Sequence, residues 1–362
     1  MSPRAEHRLA LHPDRDDVRG VDPHVELTDQ VCDALDLIDR PAAAFLRWTF
    51  PELDALTGGM APGDVWFVCA FSGNGKTTFL SSAIDGWFEQ GKKIYVLPLE
   101  TQPDVFRTYW ACQRLGIHPG DVLSGEMAKQ LAGEHGPTAQ LRAREAHRLI
   151  RDELHRHVEG AMRDRVMVKR VQAINTARLR LAVAEAAEWG ADVVVVDHID
   201  HIAGGDGSNL HAESVAVNHA ALELAQQFGV ILLCASQLNN ASMAGGRDRL
   251  AQYGPPQPNH VFMGGHKRQI ATGMIGLHRK LRDRTDDEDV KAYKAAIHDA
   301  RTGDAEPHTV LEAGIMGATA MKLRNYGQRE NQRVYLGVEH GRVTPLATRD
   351  RYRTSYDAVR RT

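Results

Sequence analysis

Cysteine is scarce: the chain has four, Cys32, Cys69, Cys112 and Cys234, scattered with no C-x-x-C pair. That spacing offers no zinc site and suits a reducing cytosol. Cys69 and Cys234 fall inside apolar runs, where a thiol behaves as a small core residue. Long apolar runs are missing too. The strongest, such as Val193-Val194-Val195-Val196, is far shorter than the roughly 20 residues a membrane helix needs. The N-terminus lacks an apolar signal core. Charge of one sign is not in excess, since 44 basic and 47 acidic residues leave a net charge of -3. A globally basic nucleic-acid binder is therefore excluded, whereas a binding path confined to a local channel is not. The 18 histidines form no ligand-spaced cluster. His198 and His201 flank a strand end and read as scaffold. No internal repeat is evident.

What the chain does have is one stretch around which the rest is organised. Its 362 residues suffice for one large or two ordinary domains, and 43 % of them are hydrophobic, a normal globular share. Val65 to Ala70 reads as a buried strand, Phe71 to Gly75 as a tight loop, and the residues from Thr77 as a helix. The loop fits the phosphate-binding pattern G-x-x-x-x-G-K-[ST], with Ala70 in place of the first glycine. Gly73 and Gly75 permit positive φ, which lets backbone N–H groups turn toward an anion. Lys76 supplies a charge for the β- and γ-phosphates. The Thr77 hydroxyl is suited to hold Mg²⁺, and the helix adds the positive end of its dipole. Ala70, Ser72, Gly73, Asn74, Gly75, Lys76, Thr77 and Thr78 are the expected ATP-binding residues.

Apolar strands and helical patterns alternate along the chain. Residues 1–23 are charged and read as a tail. Residues 24–47 hold a short helical repeat (Val25, Leu27, Val31, Ala34, Leu35, Ile38) ended by Pro41. Strands are expected at 94–97, 166–168, 193–197 and 230–237, with Pro98 expected to stop the second. Helices are expected at 77–90, 104–116, 177–189 and 212–228. Nearly all-apolar strands between helices indicate a parallel sheet covered on both faces. Polar stretches near 125–165 and 280–310 read as insertions in a domain spanning 48–347, and 348–362 as a basic tail. A short strand is expected at 274–277, and strands near a sheet edge at 318–327 and 333–338.

Three polar residues end three of the apolar strands: Glu100, Asp197 and Gln237. Ligands of open α/β sheets bind at that edge. Asp197 suits an Mg²⁺-holding acid, Glu100 a base for the attacking water, and Gln237 a sensor of the γ-phosphate. The segment 239–268 is long and rich in Gly, Pro and Asn, and carries Arg247, Arg249, Lys267 and Arg268. A loop of that length is commonly functional, and these four bases are expected to line a path for single-stranded DNA. Lys322 and Arg324 alternate, so on a strand they would share a face.

On these residues the chain resembles the motor domain of the DnaB-type replicative helicases, within the RecA-like ATPase class. The matching runs are Phe50 to Asp64, the phosphate loop, Leu97-Pro98-Leu99-Glu100, Val193 to Asp197, Ser236-Gln237-Leu238-Asn239 and Lys322-Leu323-Arg324-Asn325-Tyr326-Gly327. They span about residues 48 to 345. The resemblance implies a RecA-like P-loop NTPase with a short N-terminal linker helix. It implies a homo-oligomeric ring, usually a hexamer, with ATP and Mg²⁺ between subunits and single-stranded DNA in the hole. It also implies that Lys322 and Arg324 reach the γ-phosphate of the neighbouring subunit. The expected lack of a globular N-terminal domain leaves partnership with a primase or a helicase loader open. It suggests a phage or mobile-element version working in bacterial cytosol. The alternatives are a RecA-, RadA- or KaiC-like ATPase, or a DNA-bound assembly or loader ATPase without unwinding activity.

Overall fold

The computed structural model describes residues 45–171, 173–201, 210–238, 255–261, 264–281, 311–325, 327–339 and 341–345. Contacts divide the chain into Met1–Phe45 and Leu46–Thr362, and everything below concerns the second unit. The expected tail, almost all of the linker helix and the 280–310 insertion, Arg247, Arg249 and the basic tail lie outside the described residues.

The described elements, in chain order, are α1 (Pro51–Thr57), β1 (Val65–Ala70), α2 (Lys76–Glu89), β2 (Ile94–Pro98), α3 (Pro103–Leu115), α4 (Pro119–Leu123), α5 (Glu126–Ala132), α6 (Pro137–Arg156), α7 (Gly160–Arg165), β3 (Val166–Val168) and α8 (Thr176–Trp189). They continue with β4 (Val193–Asp197), α9 (Leu210–Phe228), β5 (Ile231–Gln237), α10 (Gly264–Ile270), β6 (Gly273–Leu281), β7 (Leu311–Leu323), β8 (Arg333–Glu339) and β9 (Arg342–Thr344). Among the described residues no helix is long and apolar enough to cross a membrane.

The strands form one sheet in the order β3-β2-β4-β5-β1-β6-β7-β8-β9. From β3 to β6 the pairings are parallel; β7, β8 and β9 are antiparallel. The parallel strands explain their own composition. Every residue of β1, β2 and β4 is buried, because helices cover both faces. Alternation divides β1 between two cores. Val65, Phe67 and Cys69 face Val183, Val217 and Leu224 from α8 and α9. Trp66, Val68 and Ala70 join Trp48, Phe50, Phe79 and Trp87 on the other side. Each such fully buried side chain contributes roughly 1.5–3 kcal/mol.

The aromatic half of that second core fixes α2. Trp48 lies 5.7 Å from Phe79 and 5.9 Å from Trp87, ring centre to ring centre. The Trp87 indole N–H donates to the Arg47 carbonyl at 2.9 Å. Gly86 lets the helix approach this closely, since a Cβ there would lie 1.8 Å from Thr49 Cγ2. The start of α2 is therefore held firmly against the end of β1.

Several boundaries differ from the sequence reading. Pro98 belongs to β2, opposite Asp197; it is the last residue, where a missing N–H costs no ladder bond. Region 119–165 is helical as expected, but as four helices. Two of them, α5 and α6, close a small core of Cys112, Met127, Ala143 and Ile150 against α3. β6 and β7 are longer than expected, and their pairing carries a bulge between Met274 and Ile275.

Candidate functional site

The parallel strands deliver their carboxyl ends to one edge, and β1 ends at Ala70 beside Gln237 of β5 and Leu277 of β6. The chain then turns at once, with Asn74 N–H donating to Phe71 O at 3.2 Å. Gly73 (φ 77°) and Gly75 (φ 83°) both sit in the left-handed region, where L side chains are strained. A Cβ on Gly73 would meet nothing within 4 Å, so that position is open as well as strained. Lys76 begins α2 and donates from Nζ to Ala70 O at 3.3 Å. Burial pushes its pKa below the usual lysine value, opposed by the nearby charges of Asp197, Glu100 and Asp200. Ser72 is exposed. Thr78 Oγ1 shares a 2.7 Å hydrogen bond with Tyr109 OH from α3.

Asp197 closes β4 and is 3 % exposed. Its Oδ2 accepts from Thr77 Oγ1 at 3.0 Å, while its Oδ1 is buried without a hydrogen-bond partner among the described residues. Burial raises its pKa above the ordinary carboxylate range, against the Thr77 hydrogen bond and the charges of His198 and Lys76. A buried polar atom without a partner calls for an explanation. Here a bare carboxylate oxygen and a hydroxyl stand together beside a lysine and an open glycine turn. That donor set fits Mg²⁺, which takes oxygen ligands and is commonly held by one or two carboxylates with substrate phosphates. Among the described residues no three His, Cys, Asp or Glu gather as a self-sufficient metal cluster.

Glu100 follows β2 and is 64 % exposed at its side chain, with Oε2 3.3 Å from His198 Nε2. It stands at the same edge as Asp197, whose carbonyl accepts from Leu99 N at 2.6 Å. Behind them Asp200 gathers three donors: Ser236 Oγ at 3.0 Å, Gln237 N at 2.6 Å and the ammonium of Lys267. Asp200 and Tyr109 escape the sequence reading. Asp200 lies three residues after Asp197, but nothing local marks its partner, 67 positions away.

Two expectations need correction. The sequence turns Lys267 toward DNA, yet its side chain is 1 % exposed and ion-paired with Asp200; its charge is spent inside the fold. Arg268 remains half-exposed, 3.5 Å from Glu330. Lys322 and Arg324 do not alternate on one strand. Lys322 is in β7, whereas Arg324 lies beyond its end, where the chain turns after Leu323. Both reach the carboxyl end of α10: Lys322 Nζ donates to Arg268 O, and Arg324 Nη2 to Gln269 O at 3.0 Å and Ile270 O at 3.3 Å. They stand at the edge of the sheet opposite the glycine-rich loop. Leu323 pairs with Gly273 and Gly273 with Trp66, while the loop leaves at Ala70. Four residues of strand separate the two levels, about 13 Å.

Comparison with known families now decides the relationship. The profile of the DnaB-like helicase C terminal domain matches residues 46–310. The chain belongs to the DnaB-like helicase family. Solved structures share the fold. One, a structure of an isolated ATPase domain, superposes with a TM-score of 0.59 at 14 % identity, over 89 % of this chain and 98 % of that one. A structure titled "The Structure Of A DnaB-Like Replicative Helicase And Its Interactions With Primase" gives 0.59 at 12 % identity, over 94 % and 70 %. No curated protein sequence matches. The fold of this DnaB-like chain is the RecA-like ATPase fold, a parallel-dominated sheet between helices. The matched span contains the loop, Glu100, Asp197 and Gln237, and stops short of Lys322 and Arg324.

Proposed function

We propose that this chain is an ATP-driven DNA helicase motor that hydrolyses ATP between subunits of a homo-oligomeric ring, a hexamer, and moves along single-stranded DNA during replication. The observation that carries the reading is the Thr77–Asp197 contact, with the buried second oxygen of Asp197 unpartnered beside Lys76 and the positive-φ loop. Residues 70–78 would cradle the triphosphate of ATP, and Thr77 and Asp197 would hold Mg²⁺. When bound, Mg²⁺ neutralises charge on the β- and γ-phosphates. Lys76 adds a second positive charge at the same phosphates. Glu100, exposed at the strand edge and braced by His198, is positioned to orient and deprotonate the attacking water. Gln237 is its counterpart from β5 for sensing the γ-phosphate.

Lys322 and Arg324 stand too far down the sheet to serve their own loop, which supports a role at the neighbouring subunit's site. There they would act as arginine fingers do, worth about 10³ to 10⁵ in rate. Arg247, Arg249 and Arg268 are proposed to contact DNA phosphates, Lys267 being withdrawn from that set. A primase is a proposed partner because a matching structure's title names one. The bacterial cytosol, in a phage or mobile-element setting, is the proposed location.

The test is complementation between subunits. Arg324→Ala alone and Glu100→Gln alone are each expected to lose at least about 100-fold in ATPase rate. Mixed rings should regain activity, since an Arg324→Ala site can borrow the finger of a Glu100→Gln neighbour. Mixed rings that form and stay inactive would refute the finger role. A wild-type ring that hydrolyses ATP on DNA without opening a forked duplex would identify an assembly ATPase instead.

A further inference from the structure

Asp200 and Lys267 form an ion pair with side chains only 7 % and 1 % exposed. Burying two charges is costly, and well-packed apolar residues often serve stability equally well. Folding alone therefore gives little reason for the pair to be there, while its connections on either side give one. Toward the nucleotide edge, Asp200 Oδ2 lies 3.8 Å from His198 Nδ1, and His198 Nε2 lies 3.3 Å from Glu100 Oε2. The same Asp200 oxygen accepts from the backbone N–H of Gln237. On the other side, Lys267 belongs to α10, whose next three carbonyls, those of Arg268, Gln269 and Ile270, hold Lys322 and Arg324. α10 has seven residues, about 10 Å of helix, short enough to shift as one piece. Its exit is tied to the sheet by Thr272 N–H to Val65 O at 2.8 Å and by Arg324 N–H to Thr272 O at 2.9 Å.

We infer that the Asp200–Lys267 pair is a positioning element that couples the state of the Glu100–Gln237 edge to helix α10, and through α10 to the direction in which Lys322 and Arg324 are presented to the next subunit. The inference rests on the ATPase reading above. Neither residue touches nucleotide; each acts through others, Asp200 through His198 and Gln237, Lys267 through the α10 carbonyls.

Hydrogen exchange on the full chain, with and without ATPγS and Mg²⁺, reads the coupling directly. In the wild type, ATPγS should slow exchange at 70–78 and also at 264–272 and 320–325. In the double variant Asp200→Asn/Lys267→Met, both charges are gone and an acceptor remains for Ser236 and Gln237. Protection at 70–78 should persist there while the response at 264–272 and 320–325 disappears. Its kcat should fall about ten-fold or more with KM for ATP within about two-fold of wild type, a split that a loss of fold would not produce. Wild-type protection confined to 70–78 would overturn the inference without any variant. A folded double variant with wild-type kcat and wild-type exchange would overturn it as well. No protection at 70–78 in the wild type would instead sink the ATPase reading, and the inference with it.

Discussion

The two ends of helix α2 are built on opposite rules. At its amino end polar groups are left open. Lys76 leans on a loop carbonyl, Thr77 holds one oxygen of Asp197 while the other is buried and unpartnered, and Gly73 faces empty space. Further along the helix the polar groups are taken. Asp85, 4 % exposed, accepts from Arg114 through one oxygen and from Arg342 at 2.6 Å through the other. Arg114 also binds Glu153 at 2.7 Å, and Ser82 Oγ donates to Thr78 O at 2.8 Å while accepting from Val343 N at 2.9 Å. Both ends contain a buried aspartate. What separates them is saturation: a saturated buried charge is spent on structure, an unsaturated one beside open space is available to a ligand.

The largest effect should come from the open end. Lys76→Ala is expected to abolish tight binding of ATP with Mg²⁺ and to lower hydrolysis by at least about 10²–10³. It should leave the melting temperature almost unchanged, because burial already disfavours the charged ammonium and the group it donates to is a loop carbonyl. Titration with a fluorescent ATP analogue and a thermal melt on the same sample check both halves. Retained binding with a lowered melting point would reverse the comparison at this end.

The saturated end should answer the other way. Asp85→Asn leaves Arg114 and Arg342 short of a charge, and removing one member of a buried network costs about 3–5 kcal/mol. Because the Arg342 side chain is 42 % exposed, a smaller loss, about 2–3 kcal/mol, is expected after solvent screening. Urea unfolding measures it. Well below the melting point, kcat and KM for ATP should match wild type. A catalytic defect with unchanged stability would mean that Asp85 belongs to the site.

The contrast between the ends also explains what can be read from the chain alone. The parallel half is legible because its strands are unbroken apolar runs, several with a polar residue at or just past the carboxyl end, and because the spacing of Gly73, Gly75, Lys76 and Thr77 is local. The saturated half is not. Asp85, Arg114 and Arg342 look like surface charges until 29 and 257 positions of separation collapse to contact. Lys267 misleads for the same reason: in a polar, glycine-rich segment a lysine reads as exposed, and its burial depends on Asp200, 67 positions away. Arg324 misleads by a boundary, since whether a strand ends at 323 or 325 is decided by pairing with β6 and by the bulge beside Met274.

His157 tests whether an unpartnered buried atom is enough to mark a ligand site. It sits in the saturated region, 1 % exposed at its side chain, and stacks on Trp110 with ring centres 4.6 Å apart. Among the described residues neither ring nitrogen has a hydrogen-bond partner. Unlike Asp197, it faces no open glycine turn and sits near the charges of Arg107 and Arg114. Burial, then those two charges, push its pKa down from 6.5 to about 4. The neutral ring is therefore a stable tenant, and the cost falls on acidification. Between about pH 6.5 and pH 4 the unfolded chain binds a proton that the folded chain refuses, so stability is intact above 6.5 and falls as pH drops toward 4. His157→Phe keeps the stacked ring and discards both nitrogens. At pH 7 its stability should stay within about 1 kcal/mol of wild type, a smaller effect than either of the other two substitutions should show. Its loss of stability between about pH 6.5 and pH 4 should be shallower by up to about 1.4 kcal/mol per pH unit. Urea unfolding at several pH values across that window gives both slopes. Equal slopes would mean that His157 charges freely in the folded chain, as an open site allows and a sealed one does not.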